Sequence, residues 1–122
     1  MTSMRRRTPI ASSEAEADQG ADVIKVEPPG GDLVRAMGAN RGGVSATFVS
    51  ANRSKRSVVL DLKTEAGLDA LKRLVRTADV FVQNFRPGAI GRMGLGEEVL
   101  RAESKDLVYV SISGFGEQGP YA

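Results

Sequence analysis

ADVFVQNFRPGAIGRMGL, residues 78–95, is the most informative stretch of the chain. It opens as a buried strand, Asp79–Gln83, breaks at NFRPG, residues 84–88, and restarts as a short helical turn that ends near Gly94. A parallel strand that ends in asparagine, arginine, proline and glycine leaves polar groups at its carboxyl end, where open α/β sheets bind their ligands. The pattern therefore predicts that this loop holds an anionic, nucleotide-like ligand.

The segments on either side of this stretch alternate between strands and helices. The predicted strands are Val23–Glu27, Ser57–Leu62, Ala78–Gln83 and Leu107–Ser113, and the predicted helices are Ser45–Ser50, Glu65–Arg76 and Glu97–Arg101. Thr64 is suited to cap the helix that starts at Glu65, and leucines three and four residues apart give that helix one apolar face. Short connections between such elements are typical of α/β proteins. The sequence thus predicts an α/β fold with a partial Rossmann-like parallel sheet.

The character of the sequence changes near residue 19. Residues 1–18, MTSMRRRTPIASSEAEAD, show no sustained apolar periodicity, and we expect a disordered or non-homologous tail there. Residues 19–122 contain all the predicted elements. The length of 122 residues suits one small domain and is too short for two.

Composition excludes several kinds of site within these residues. The chain has no cysteine and no histidine, which rules out disulfides, a thiol nucleophile and a histidine general base. A net charge of +2, few aromatic residues and no basic helix give little support to nucleic-acid binding. No apolar run is long enough to cross a bilayer, and no apolar segment follows Arg5–Arg7 as in a secretory signal. We therefore expect a cytoplasmic protein that binds neither nucleic acid nor a membrane.

The candidate ligand contacts are Asn84, Phe85, Arg86 and Arg92, together with the segment Leu60–Lys63. Guanidinium groups suit phosphates, and a phenyl ring packs well on a base. The alternative is an ordinary solvated loop. No metal ligand set is apparent, and the glycines lack the spacing of a dinucleotide or Walker A motif.

Two aspartates are candidate site carboxylates. Asp61 follows a predicted strand, and Asp32 lies in a glycine-rich loop. A structural role at the approach to the next helix is the stronger interpretation for Asp61.

Four stretches, taken together and in order, resemble the family III CoA-transferases, also called the CaiB/BaiF type. They are GADVIKVEPPGGD at 20–32, NRSKRSVVLDLKTEAG at 52–67, ADVFVQNFRPGAIGRMGLG at 78–96 and LVYVSISGFGEQGPYA at 107–122. The resemblance covers about residues 17–122. It implies transfer of coenzyme A between carboxylic acids, with a CoA thioester and a carboxylic acid as substrates, by an interlocked homodimer that needs no metal.

The same resemblance implies which residues bind CoA. They are Leu60, Asp61, Leu62, Lys63, Asn84, Phe85, Arg86 and Arg92. The adenine end is expected near the exit of the first predicted strand, after Glu27, where some members carry an arginine and this chain has Pro28.

Two differences from the family accompany the resemblance. The family domain opens with a further strand and a helix, which the first 18 residues here do not resemble. The family's aspartyl nucleophile, which attacks the acyl-CoA thioester, follows the GFGEQGPYA motif and is expected beyond Ala122, so no catalytic residue is assigned within the chain. We therefore expect this chain to be inactive alone. The alternatives are a fragment of the α-methylacyl-CoA racemase type and a non-catalytic remnant that binds CoA or a partner.

Overall fold

The computed structural model describes residues 2–5, 17–18, 20–116 and 118–120. Its strands are β1 Thr2–Arg5, β2 Asp22–Glu27, β3 Asn40–Arg41, β4 Val44–Ser45, β5 Lys55–Val59, β6 Val80–Gln83 and β7 Val108–Ser111. Its helices are a 3-10 turn at Leu33–Ala36, then α1 Ala46–Asn52, α2 Glu65–Val75, α3 Ala89–Arg92 and α4 Glu97–Glu103. In the part of the chain so described, no helix is long and apolar enough to span a membrane.

The main sheet has five strands in the order β5-β2-β1-β6-β7, and β3 and β4 form a separate two-stranded sheet. β2 pairs with β5 and β6 pairs with β7 in parallel. β1 is antiparallel to both β2 and β6, so the other four strands all run in one direction. The α/β class is confirmed. The sheet is mixed rather than wholly parallel, because β1 runs against its neighbours.

β1 lies within residues 1–18, the stretch that the sequence predicted to be a disordered or non-homologous tail. Thr2–Arg5 lie at the centre of the sheet, where Ser3 is in register with Ile24 on one side and Phe81 on the other. Residues 17 and 18 are helical, and 6–16 lie outside the described part of the chain. No sequence pattern marked this strand, because strand pairing uses backbone groups, which a short polar segment offers as well as an apolar one.

The core lies mainly between one face of the sheet and helices α2, α3 and α4. This face buries Val26 and Phe81 against Leu71, Val75, Ile90 and Leu100. Strand alternation turns Val23, Val80 and Val82 to the opposite face, where they form a smaller cluster with Ala17. The apolar stripe predicted for the helix from Glu65 therefore packs on the sheet, as expected.

β5 ends earlier than predicted, at Val59 instead of Leu62. The amide of Leu60 still bonds the carbonyl oxygen of Glu27 at 3.0 Å. The next residues then leave the sheet, because the Asp61 carbonyl accepts a bond from the Thr64 amide at 3.1 Å and so begins the turn into α2. This early exit frees residues 60–63 to line a cavity.

Candidate ligand-binding site

A cavity of about 480 Å³ lies at the carboxyl ends of β2, β5 and β6. Its lining residues are Pro28, Pro29, Gly30, Leu60, Asp61, Leu62, Lys63, Phe85 and Met93. The chain passes from β2 outward to β5 and then crosses to β6 on the other side of β1. Open α/β sheets bind ligands at such a reversal of strand order, and cavities of this size suit small molecules.

The floor of the cavity is the segment Leu60–Lys63, which a tight turn holds in place. The Asp61 carboxylate accepts a bond from the Lys63 amide at 3.0 Å, and the Thr64 hydroxyl donates to the Asp61 carbonyl at 2.8 Å. Thr64 also caps α2 by accepting a bond from the Gly67 amide at 3.1 Å. Asp61 thus has the structural role at the helix approach that the sequence favoured, and it lines the cavity as well.

Gly67 allows this turn to lie directly on the first turn of α2. A Cβ atom at this position would be 1.9 Å from the carbonyl oxygen of Asp61. No side chain larger than hydrogen fits that space, so the glycine sets how closely residues 60–63 approach the helix. Sequence reasoning did not single out Gly67, although a glycine in the first turn of a helix was a usable signal.

Residues 28–30 form another wall of the cavity, and they begin directly after Glu27 at the end of β2. The Glu27 side chain is only 1% exposed and accepts two bonds from Arg35, both at 2.8 Å. It also accepts bonds from the Ser57 hydroxyl at 2.8 Å and the Asp32 amide at 2.9 Å. The bonds from Arg35 chiefly lower the pKa of Glu27, against the effect of burial, to about 2.

Asp32, which the sequence offered as a site carboxylate, is engaged in the structure of the loop. It pairs with Lys25 and accepts a bond from the Val34 amide at 2.9 Å, which caps the 3-10 turn. Burial raises the pKa of Asp32, but the bonds from Lys25 and Val34 outweigh it and leave the pKa below its usual value. Asp32 therefore supports the cavity wall and is absent from the cavity lining.

A second cavity of about 390 Å³ lies beside the first, at the ends of β6 and β7. Its lining residues are Asn84, Phe85, Arg86, Pro87, Ile112, Ser113 and Gly114. Phe85 lines both cavities. Its amide donates to the Oε1 atom of Gln83 at 2.8 Å, while the Nε2 atom of Gln83 donates to the Ser111 hydroxyl at 2.7 Å. Gln83 is 1% exposed, so this buried amide links the carboxyl ends of β6 and β7.

Most of the eight predicted CoA contacts lie in this region of the molecule. Leu60, Asp61, Leu62, Lys63 and Phe85 line the first cavity, and Asn84, Phe85 and Arg86 line the second. Arg92 lines neither. It ends α3 with its guanidinium over Gly88, where an added Cβ would lie 2.9 Å from its Nη1 atom.

Other contributors were not predicted. Met93 lines the first cavity, and Ile112 and Ser113, predicted as the end of a strand, line the second together with Gly114. Among the described residues, no group of three or more acidic, histidine or cysteine side chains could hold a metal ion.

The end of the GFGEQGPYA motif is described only in part. Gly114–Gly116 and residues 118–120 belong to the described chain, whereas Glu117, Tyr121 and Ala122 lie outside it. The expectation that the catalytic aspartate follows Ala122 therefore falls outside the described residues and stays a prediction.

The fold and these cavities match a known family of proteins. A sequence model of the family described as CoA-transferase family III matches residues 8–122. That match covers nearly the whole chain, and the chain therefore belongs to CoA-transferase family III. The resemblance drawn from the four motifs is confirmed.

Relatives with names or solved structures agree with this assignment. Succinate–glutarate CoA-transferase of Agrobacterium fabrum is 51% identical over 114 residues, which cover 87% of this chain and 28% of that protein. The solved structure of a CaiB/BaiF family protein from Brucella suis is 45% identical, with a TM-score of 0.76 over 82% of this chain and 28% of that one.

The structure of the Mycobacterium tuberculosis protein Rv3272 is 38% identical, with a TM-score of 0.80 over 92% of this chain and 31% of that one. This chain therefore spans less than a third of the length of these three relatives.

Proposed function

We propose that this chain forms the CoA-binding part of a family III CoA-transferase. Leu60, Asp61, Leu62, Lys63 and Phe85 would hold the nucleotide end of CoA in the first cavity, and Asn84 and Arg86 would hold the adjoining part of the molecule. Arg92 would contribute charge from α3. The observation that carries the proposal is the cavity at the strand reversal, because its lining comes from three of the four stretches that resemble the family.

The chemistry of the two cavities supports this assignment. Pro28, Leu60, Leu62 and Met93 give the first cavity apolar walls, which suit an adenine ring. Lys63 and Arg86 are exposed and follow the carboxyl ends of β5 and β6, and cationic side chains at such positions suit phosphates. Phe85 lies between the two sets of residues because it lines both cavities.

Transfer of the acyl group needs a nucleophile, and we propose that an aspartate beyond Ala122 supplies it. The chain spans less than a third of the length of these relatives, and the rest of that length can supply the nucleophile. The chain by itself should then bind CoA without turning over acyl-CoA. An assay with succinyl-CoA and a panel of carboxylic acids tests this, and sustained transfer by the purified chain would contradict it.

Calorimetric titration with CoA tests the binding site. Arg86→Gln removes one phosphate partner and should weaken binding about tenfold, since a charge-assisted hydrogen bond contributes about 1.5 kcal/mol or more. Arg73→Gln is the matched control, because Arg73 is an exposed arginine in the last turn of α2 and removing it lowers the net charge equally. If wild type gives no saturable heat, or both variants weaken binding equally, the site assignment fails.

We also keep the cytoplasmic location and the homodimer implied by the family as part of this proposal. Apolar side chains support association, because Leu33 is 84% exposed and Met37, Val44 and Val49 are exposed within the same stretch. Light scattering coupled to size exclusion would give the mass of the assembly. A monomer at all concentrations would contradict the dimer.

A further inference from the structure

The last residue of β2, Glu27, bonds both the 60–63 floor of the proposed CoA cavity and the loop that carries its 28–30 wall. Its backbone carbonyl accepts a bond from the Leu60 amide at 3.0 Å, at the start of the floor segment. Its carboxylate accepts a bond from the Asp32 amide at 2.9 Å, two residues beyond the 28–30 wall. The intervening residues 28–31 form a closed loop, in which the Gly31 amide also bonds the Pro28 carbonyl at 2.8 Å.

Arg35 holds the Glu27 carboxylate in the orientation that closes this loop. Its Nε and Nη2 atoms reach the two carboxylate oxygens separately, a two-point contact that fixes the plane of the carboxylate. The arginine also packs over Gly31, where an added Cβ would be 3.1 Å from its Cδ atom. The backbone of Gly31 has a φ of +76°, which favours glycine at this position.

Helix α1 also contacts Arg35. The guanidinium carbon lies 4.0 Å from the centre of the Phe48 ring, close enough for a cation–π contact. The buried Ser45, which caps α1, donates from its hydroxyl to the Val34 carbonyl at 2.6 Å. These contacts therefore connect β2, the 3-10 turn and α1 through the side chains of Glu27, Arg35 and Phe48.

We propose that Glu27 and Arg35 are positioning residues for nucleotide recognition, which set the distance between the 28–30 wall and the 60–63 floor of the CoA cavity. Neither side chain lines the cavity, so both act through the loop that does. The proposal rests on the CoA site proposed above, since that site supplies the ligand.

Arg35→Lys tests the proposal, because lysine keeps the positive charge but cannot bridge both carboxylate oxygens. The matched control is Arg76→Lys, which alters another arginine–carboxylate pair, with Glu103 at 2.7 Å, at the opposite end of α2 from the cavity. Affinities would be measured by titration with CoA and with adenosine 3′,5′-bisphosphate, under conditions where circular dichroism shows both variants folded. Hydrogen exchange of the Asp32 amide would report on the wall without any ligand.

We expect Arg35→Lys to weaken CoA and the adenosine bisphosphate by the same factor, about tenfold or more, and to speed exchange of the Asp32 amide about tenfold. Arg76→Lys should leave affinities within about twofold. A folded Arg35→Lys variant with unchanged affinity and exchange would overturn the proposal, as would equal losses in both variants. If Arg35→Lys does not fold, Glu27→Gln, which keeps one acceptor oxygen, takes its place.

Failure of the underlying CoA site would be recognised separately. A wild-type chain that does not bind CoA would overturn the proposed function and, with it, the nucleotide role of this pair. Exchange of the Asp32 amide would still decide whether Arg35 positions the wall: faster exchange only in Arg35→Lys supports it, and equal exchange in both variants refutes it.

Discussion

Gly67→Ala should destabilise this protein, although alanine in place of a helical glycine usually stabilises. The new Cβ would lie 1.9 Å from the carbonyl oxygen of Asp61 and 2.6 Å from its carbonyl carbon. Both are backbone atoms, so no side-chain rotation can relieve the contact. To reach even 3.0 Å, the shortest separation real Cβ atoms show, the loop and the helix must move apart by about 1 Å.

The magnitude follows from the bonds that this movement breaks. The Asp61 carbonyl accepts from the Thr64 amide at 3.1 Å and the Thr64 hydroxyl at 2.8 Å, and that hydroxyl accepts from the Gly67 amide at 3.1 Å. At about 1 kcal/mol each, the three bonds contribute about 3 kcal/mol. Alanine returns up to about 1 kcal/mol of helix propensity. The net loss should be about 2 kcal/mol.

Urea unfolding followed by circular dichroism measures this loss directly. Gly91→Ala is the control, because Gly91 is also helical, in α3, and an added Cβ there meets no atom within 4 Å. It should stabilise the chain by up to about 1 kcal/mol through propensity alone. The two substitutions are chemically identical, so opposite signs would isolate the contact with Asp61.

The reasoning is refuted if Gly67→Ala is as stable as wild type or more stable. That result would mean that residues 60–63 do not rest on the first turn of α2. A loss of stability in both variants would also count against it, because the effect would then belong to helical alanine in general.

Three further outcomes are expected. The pKa of Glu27 is about 2 in the folded protein against an ordinary 4.5, so above pH 4.5 this carboxylate stabilises the fold by about 3 kcal/mol, and this stability is lost as the pH falls toward 2. In urea unfolding from pH 6 to 3, the free energy of unfolding should fall more steeply for wild type than for Glu27→Gln. Gln83→Leu should cost about 2 kcal/mol, because it leaves the Phe85 amide and the Ser111 hydroxyl without this partner; an unfolding midpoint equal to that of wild type would contradict it. Thr64→Ala should cost about 1 kcal/mol by removing the cap of α2, and thermal melts in which Thr64→Ser matches wild type would attribute the loss to the hydroxyl.

Much of the local structure was predictable because its signals are local. The leucine spacing and the Thr64 cap correctly predicted α2, and the NFRPG break correctly ended β6 at Gln83. The helix predicted near Ser45–Ser50 appears as α1, with Ser45 as its cap. Strand ends were less accurate: β5 was predicted to run to Leu62 but ends at Val59, because the Asp61 carbonyl begins the turn into α2.

Residues of the site were predictable in type but not in arrangement. The candidate ligand contacts at 60–63 and 84–86 were named from loop chemistry and from the family motifs, and the structure places them around two adjoining cavities. The pairing of Glu27 with Arg35 carried no comparable signal. The two residues are eight positions apart, and nothing in that spacing distinguishes this contact from any other charge pair at a strand end.

The amino-acid sequence by itself determined the positions of β2, β6, α1 and α2 and the point where β6 leaves the sheet, because these depend on periodicity, caps and turn residues within a few positions. Tertiary structure alone decided that Thr2–Arg5 enter the centre of the sheet, against the direction of their neighbours. It also decided that residues 28–30, 60–63 and 85 enclose one cavity. Both results depend on hydrogen bonds between segments that are distant in the sequence. A backbone amide or a buried carboxylate can form such a bond with many partners, and the packing of the chain decides which partner it meets.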